Sequence, residues 1–221
     1  MFDREVALYR RLQNYGVKVS FVTYGDRDDL KFQDQLPGIR ILCNRWYLPP
    51  DKYERRLPWI HLPWILLPGI IKTNQVRGAE TAWRTARLWR KTLIVRCGYL
   101  PSTLVDQSER ENELISEEHA FANSSHAIVT TQSIKEDIVT RVPEAEGRIS
   151  VVPNYVDTGV FKPVKDAEQD TDVMYVGRLH PEKNIGSLLS AVNGLKSLRV
   201  NIIGSGPLFN ASPSGPDTGT Q

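Results

Sequence analysis

Apolar positions along this chain switch between the helical period of about 3.6 and the strand period of about 2, in short blocks broken by glycine and proline. Phe2, Val6 and Tyr9 recur at helical spacing beside Leu8 and Leu12, Asp3 is placed as a cap, Glu5 lies in the first turn and Gly16 stops the run. Residues 3–15 are therefore predicted to form a helix. Val17, Val19 and Phe21 then alternate as a strand, and short runs at 39–43, 70–73, 93–96, 127–130 and 149–152 predict further strands. Ala79, Ala82, Trp83, Ala86 and Trp89 share one face of a helix predicted over 79–91, and 109–123 reads as a long helix with an acidic face. Ser133 and Glu136 form S-x-x-E, a capping box before a helix reaching Val142. Strands and helices alternating across short turns argue for an α/β fold with parallel sheets. Such a domain normally opens on a strand and a glycine turn; here a helix comes first, so the chain reads as lacking its first strand.

The most informative stretch is 150–207. A β-branched run at 172–176 ends at Gly177, and Arg178 and Lys183 fall in a loop before a helix with Ile185, Leu188, Leu189, Val192 and Leu195 inward. A second strand at 199–203 closes this βαβ unit on Gly204, Ser205, Gly206 and Pro207. Two cations at the carboxyl end of a parallel strand, next to a helix amino terminus, suit a pyrophosphate. An arginine and a lysine before a helix are also what a solvated surface presents. Gly204 and Gly206 read either as a ligand-binding loop or as a plain strand-to-helix turn. His180 reads as a polar loop residue, and Asn154, Asp157 and Phe161 as residues shaping a hinge. Earlier strand ends supply weaker candidates: Lys72, Asn74 and Gln75 after one strand, Arg96 and Tyr99 after the next. Arg96 adjoins an apolar strand, where an unpaired charge is costly, so it is expected to have a carboxylate or a ligand as partner.

The expected organisation is a larger α/β domain at 1–152, a linker at 153–171, the start of a second domain at 172–209 and a disordered tail at 210–221. That tail, NASPSGPDTGTQ, holds no aliphatic residue beyond one alanine.

Composition narrows the function classes. With 221 residues, 40% of them hydrophobic and 24% charged, the chain is that of an ordinary globular protein. Its 28 basic residues are interspersed with 26 acidic ones for a net charge of +2, which gives no argument for nucleic-acid binding. Cys43 and Cys97 read as unpaired buried thiols in a reducing cytoplasm. No CxxC occurs, and His61, His119, His126 and His180 lack metal-ligand spacing, so neither a metal nor a cofactor is expected. The amino terminus is charged from the outset and carries no signal-peptide pattern. The apolar tract at 57–71, LPWIHLPWILLPGII, is shorter than the roughly 20 residues a bilayer span needs. Its part at 59–71 is open to two readings: packing over the core, or a membrane-surface contact for a lipid-linked acceptor.

The segments VVPNYVDTGVFKP, MYVGRLHPEKNIGSLLSAV and NIIGSGP together resemble the hinge and donor-site signature of the family 4 retaining glycosyltransferases, over roughly 149–208. FDREVALYRRLQNYGVKVSFVTYG is similar to the first helix and second strand of that family's acceptor domain. The resemblance implies the GT-B architecture, two Rossmann-like domains with parallel sheets facing across a cleft, here with the second domain incomplete. It implies transfer of a hexose-type sugar from a nucleotide-diphosphate donor to the hydroxyl of a carbohydrate or lipid-linked acceptor, in polysaccharide or glycolipid assembly. The setting would be the cytoplasm or the inner face of the membrane. By the same resemblance Arg178 and Lys183 are the catalytic, donor-contacting cations, with Gly177, Gly204 and Gly206 beside them, and Lys72, Asn74, Arg96 and Tyr99 stand on the acceptor side.

Three departures from the family pattern predict a fragment that is inactive alone. The glycine-rich loop after the first strand is missing, as is the carboxyl-terminal half of the donor domain with its paired glutamates, and 210–221 does not continue the helix expected after GSGP. A nicotinamide-binding protein would need G-x-G-x-x-G after the first strand of the unit and an acidic residue ending the second, and neither is present. Alternatives left open are a nucleotide-sugar epimerase of the same architecture and a non-catalytic truncated module that binds or self-associates.

Overall fold

The computed structural model describes residues 2–165, 170–195 and 197–209. The chain divides into two compact units, Met1–Asn154 and Tyr155–Gln221. The tail at 210–221, expected to be disordered, lies outside the described residues.

In the first unit, helix α1 (Phe2–Asn14) leads through Gly16, whose φ of 78° suits glycine, into β1 (Ser20–Val22). A 3-10 segment, Arg27–Gln35, precedes β2 (Arg40–Leu42). Next come α2 (Pro50–Ile60), β3 (Ile70–Lys72), α3 (Ala79–Leu88), β4 (Thr92–Cys97), α4 (Gln107–Ala122), β5 (His126–Val129), α5 (Gln132–Arg141) and β6 (Ile149–Val151). The described strands pair only in parallel: β1 with β2 in one sheet, and β3-β4-β5-β6 in a second. Parallel strands covered on both faces need apolar runs instead of alternation, which the TLIVRC of β4 supplies. The main core gathers Leu93, Val95 and Val129 from the strands with Phe121 and Ile138 from the helices. A smaller cluster under β1 and β2 holds Val6, Leu36, Ile39, Ile41 and Cys43.

Several elements differ from the sequence-based expectation; α1, for one, already includes Asp3, the residue expected to cap it. The cap of α5 is Thr131, not Ser133. Thr131 has the extended backbone a cap requires (φ −138°, ψ 157°), and its Oγ1 accepts the Ile134 N–H at 3.2 Å. Ser133 is already helical, and Glu136 takes a hydrogen bond from Gln132 Nε2 at 3.1 Å. The tract around 46–68 also contains a helix that its prolines obscure. In α2, Pro50 sits at the first helical position, where a missing N–H costs nothing, and Pro58 lies in the last turn.

The tract at 59–71 divides its residues. Tyr53, Leu57 and Ile65 form a buried cluster with Trp89 packed against it, whereas Trp59 and Leu67 are 55% and 72% exposed. Among the described residues no helix is long and apolar enough to cross a membrane.

Tyr53 and His61 form a buried polar pair in this cluster. The Tyr53 hydroxyl donates to the Thr23 carbonyl (3.1 Å), so it accepts the proton on His61 Nε2 (2.7 Å), which fixes the neutral tautomer. Burial, with the nearby Arg45 charge, lowers the His61 pKa. The unfolded chain takes up a proton as pH falls through about 6.5, while the folded chain resists until lower pH. Stability is therefore full above that value and declines below it. The first unit should melt at a lower temperature at about pH 5.5 than at about pH 7.5, and His61→Asn should reduce that difference. Tryptophan-monitored melting reads this directly.

Among its described residues the second unit forms one βαβ motif. β7 (Val173–Val176) and β8 (Val200–Ile203) pair in parallel, with α6 (Ile185–Val192) between them. Ile185 is buried and Leu188, Leu189 and Val192 are partly covered, as their spacing predicts. Leu195 is a correction: it lies beyond α6 and is 57% exposed.

Candidate functional site

The second unit carries its candidates on the loop after β7. Hydrogen bonding between the two chain segments continues past the ladder: Gly177 N–H to Ile203 O (3.0 Å), Leu179 N–H to Ser205 O (2.9 Å) and Leu208 N–H to Leu179 O (3.1 Å). This close approach explains the two later glycines. A Cβ on Gly204 would fall on the Gly177 carbonyl, and one on Gly206 on the Leu179 carbonyl. Gly204 and Gly206 thus hold the two strand-end loops together. At Gly177 the side-chain space is taken by the Tyr175 hydroxyl, 2.8 Å from where a Cβ would stand, and that hydroxyl donates to the Arg178 carbonyl at 2.9 Å.

Arg178 and Lys183 both project from this loop and both are exposed. Arg178, with a side chain 70% exposed, pairs with Glu182 at 2.5 Å, while Lys183 has no ion pair among the described residues. Between them Pro181–Lys183 forms a 3-10 turn, and Asn184 takes a left-handed conformation (φ 49°, ψ 42°) to open α6. His180 Nδ1 lies 3.8 Å from Glu182. Glu182 escaped the sequence reading, although an acid four residues after Arg178 in so short a loop is the signal that finds it.

In the first unit the carboxyl ends of β3 and β4 bring together Lys72, Asn74, Gln75 and Arg96. Thr73 Oγ1 accepts the Arg96 N–H (3.1 Å) and Gln75 Oε1 accepts the Gly98 N–H (3.0 Å), so the loops after the two strands brace each other. Of the two partners expected for Arg96, a carboxylate or a ligand, no carboxylate is found among the described residues. Its guanidinium donates to Asn154 Oδ1 (2.8 Å) and to the Asn74 carbonyl (3.2 Å). The head of the side chain reaches past the strand end to exposed groups, so water shares the solvation that a carboxylate would otherwise supply. Lys72 Nζ donates to the Tyr9 hydroxyl (3.0 Å) and the Thr73 carbonyl (3.2 Å). The Asn74 side chain is exposed, and Tyr99 is 40% exposed on the loop after β4.

That loop is anchored from below by a residue of the helix whose face reads as acidic. Glu117, fully buried, accepts the Ser102 N–H (2.8 Å), the Ser102 hydroxyl (3.0 Å) and Arg141 Nη2 (2.9 Å). Its spacing from Ala120 and Phe121, three and four residues on, marks it as inward-facing. Cys97, free and buried like Cys43, lies nearby. Burial and the Glu117 charge push its thiol pKa up to about 12, which leaves it a packing residue and not a nucleophile.

No protein-family model and no curated protein matches the chain. Solved structures do. HepE of Anabaena, in complex with UDP and glucose, is similar with a TM-score of 0.64 and 14% identity over 91% of this chain and 56% of that one. Sucrose-phosphate synthase of Thermosynechococcus elongatus is similar with a TM-score of 0.63 and 20% identity over 86% of this chain and 53% of that one. UGT89C1 of Arabidopsis thaliana, complexed with UDP, is similar with a TM-score of 0.52 and 17% identity over 94% of this chain and 63% of that one. The chain therefore spans between 53% and 63% of the length of these proteins. At such identities the likeness is one of fold, and the fold is that of the GT-B glycosyltransferases: α/β units built on parallel sheets.

Proposed function

We propose that this chain handles a nucleotide-diphosphate sugar as part of a glycosyltransferase of the family 4 kind. Arg178 and Lys183 hold the diphosphate. The acceptor, a carbohydrate or lipid-linked hydroxyl compound, lies against Lys72, Asn74, Arg96 and Tyr99. The observation that carries the reading is the loop after β7, where an arginine and a lysine stand exposed at the carboxyl end of a parallel strand, immediately before a helix. HepE, similar in fold, has been solved with UDP-glucose.

In this reaction the bond from the sugar's anomeric carbon to the diphosphate oxygen breaks and its electron pair stays on the diphosphate. The acceptor oxygen bonds to the same carbon and gives up its proton to the departing diphosphate. Charge grows on the leaving group, so preplaced cations are the main catalytic requirement. A guanidinium can bridge two phosphate oxygens, and an ammonium adds a compact charge. A lipid-linked acceptor would bring the chain to the inner membrane face, a setting that the exposed Trp59 and Leu67 suit.

Calorimetric titration with UDP, GDP and ADP tests the assignment. A hydrogen bond to a charged group is worth about 1.5–3 kcal/mol, so Arg178→Ala and Lys183→Ala should each weaken the best-bound diphosphate about tenfold or more. Glu182→Gln should tighten it by up to about fivefold, because the competing surface pair is worth at most about 1 kcal/mol. Unchanged affinity in both alanine variants would remove the donor assignment.

A further inference from the structure

We propose that the open cleft between the end of α2 and the last turns of α3 binds a phosphate monoester carried on an apolar body. The cleft, about 490 Å³, is lined by Pro58, Trp83, Arg84, Arg87 and Leu88, a size in the usual range for small-ligand sites. It goes beyond the donor and acceptor assignments. α3 ends at Leu88, just before the amino-terminal residue of β4, Thr92. The cleft thus sits toward the opposite end of the sheet from Lys72, Asn74 and Arg96.

Its two halves have complementary chemistry. Pro58, Trp83 and Leu88 give an apolar lining, and Leu88 is 44% exposed. Arg84 and Arg87 are three residues apart on α3 and so share a face. Arg87 makes no ion pair among the described residues, and its guanidinium lies 5.4 Å from the centroid of the Trp83 ring. Arg84 is underused as a donor. Its Nε is shut off from solvent without a hydrogen-bond acceptor, and Nη2 reaches only Thr81 Oγ1 at 3.3 Å. The neighbouring carboxylate, Glu80, stands 3.6 Å from Nε and is shared with His119 at 3.2 Å. Residues 81–91 hold Arg84, Arg87, Arg90 and Lys91 and no acidic residue. Of these, Lys91 is already engaged by the Leu66 carbonyl at 2.7 Å.

A phosphate offers three acceptor oxygens, enough for the partly exposed terminal nitrogens of Arg84 and the Arg87 fork together. A bare phosphate would leave the tryptophan, leucine and proline uncovered, whereas an alkyl or aryl ester covers them. A soluble phosphate ester and a lipid headgroup share this chemistry.

The test is calorimetry with monomeric octyl phosphate and with inorganic phosphate, on the wild type, Arg87→Gln and the double variant R84Q/R87Q. Octyl phosphate should bind the wild type about tenfold more tightly than inorganic phosphate does, lose about tenfold in Arg87→Gln and be undetectable in the double variant. UDP binding should be the same in all three proteins, which separates this site from the donor site. Arg87 is exposed and unpaired, so its single variant keeps the test valid if the double variant folds poorly. Co-sedimentation with phosphatidylcholine vesicles, with and without phosphatidic acid, identifies the source. Acid-dependent pelleting that Arg87→Gln abolishes assigns the site to lipid; octyl phosphate binding without pelleting assigns it to a soluble ester. Failure of octyl phosphate to bind the wild type, or equal binding to Arg87→Gln, overturns the proposal.

Discussion

Glu117→Ala should lower the stability of the first unit by about 3–5 kcal/mol, the range for breaking a buried ion pair from one side. The carboxylate is wholly out of water and answers three donors at 2.8–3.0 Å on two elements, the Ser102 loop and α5. Its removal leaves the Ser102 N–H without its acceptor and takes from Arg141 its one fully buried carboxylate. Arg141 keeps Asp137 at 2.6 Å, so part of its charge remains compensated, which places the expected loss toward the lower end. Replacing both partners by apolar residues, E117L/R141M, should cost less than Glu117→Ala alone, because no charge is then left uncompensated. Urea unfolding followed by tryptophan fluorescence measures this cleanly: all five tryptophans, Trp46, Trp59, Trp64, Trp83 and Trp89, lie in the first unit. A loss below about 1 kcal/mol would mean that the carboxylate contributes no more than a surface pair.

Phe121→Ala should be as severe, at about 3–5 kcal/mol. Phe121 is fully buried on α4 and packs in the main core with strand residues such as Val95 and Val129. The loss combines the removed ring's transfer free energy with the cavity left among neighbours that can relax only in part. Phe121→Leu should retain most of the stability, since it keeps much of the volume. Glu117 and Phe121 are one helical turn apart, so the double variant should not show the sum of the two losses. Additivity within about 0.5 kcal/mol would indicate that the carboxylate network and the core cluster are held independently.

The class of fold was legible in the sequence because parallel strands and amphipathic helices leave different periods. The TLIVRC run and the alanine-tryptophan face of α3 are examples. The helix α2 is masked by Pro50 and Pro58, a residue type that ordinarily interrupts helices, although Tyr53, Leu57 and Ile60 keep helical spacing. The cap of α5 was misplaced by two residues because a motif names residue types, whereas the cap is chosen by where the backbone turns after β5. Glu117 lies in a helix that reads as carrying an acidic face; its partners come from residues 15 and 24 positions away, which local periodicity does not report. The strand-end residues were found by position. What each does with its polar atoms, Arg96 with Asn154 and Arg178 with Glu182, depends on side-chain geometry that the sequence does not carry.

The parallel pairing of the described strands has a consequence for how the chain acquires its shape. Partners in register are far apart along the sequence, from Ser20 with Arg40 to Ile94 with His126. Such a sheet cannot nucleate from a hairpin, because each crossover must be laid down before its two strands can meet. Contacts of this separation place the chain among slow folders. A strand leaving the ribosome must therefore wait unpaired for its neighbour, and β1 stays open to aggregation until β2 has emerged.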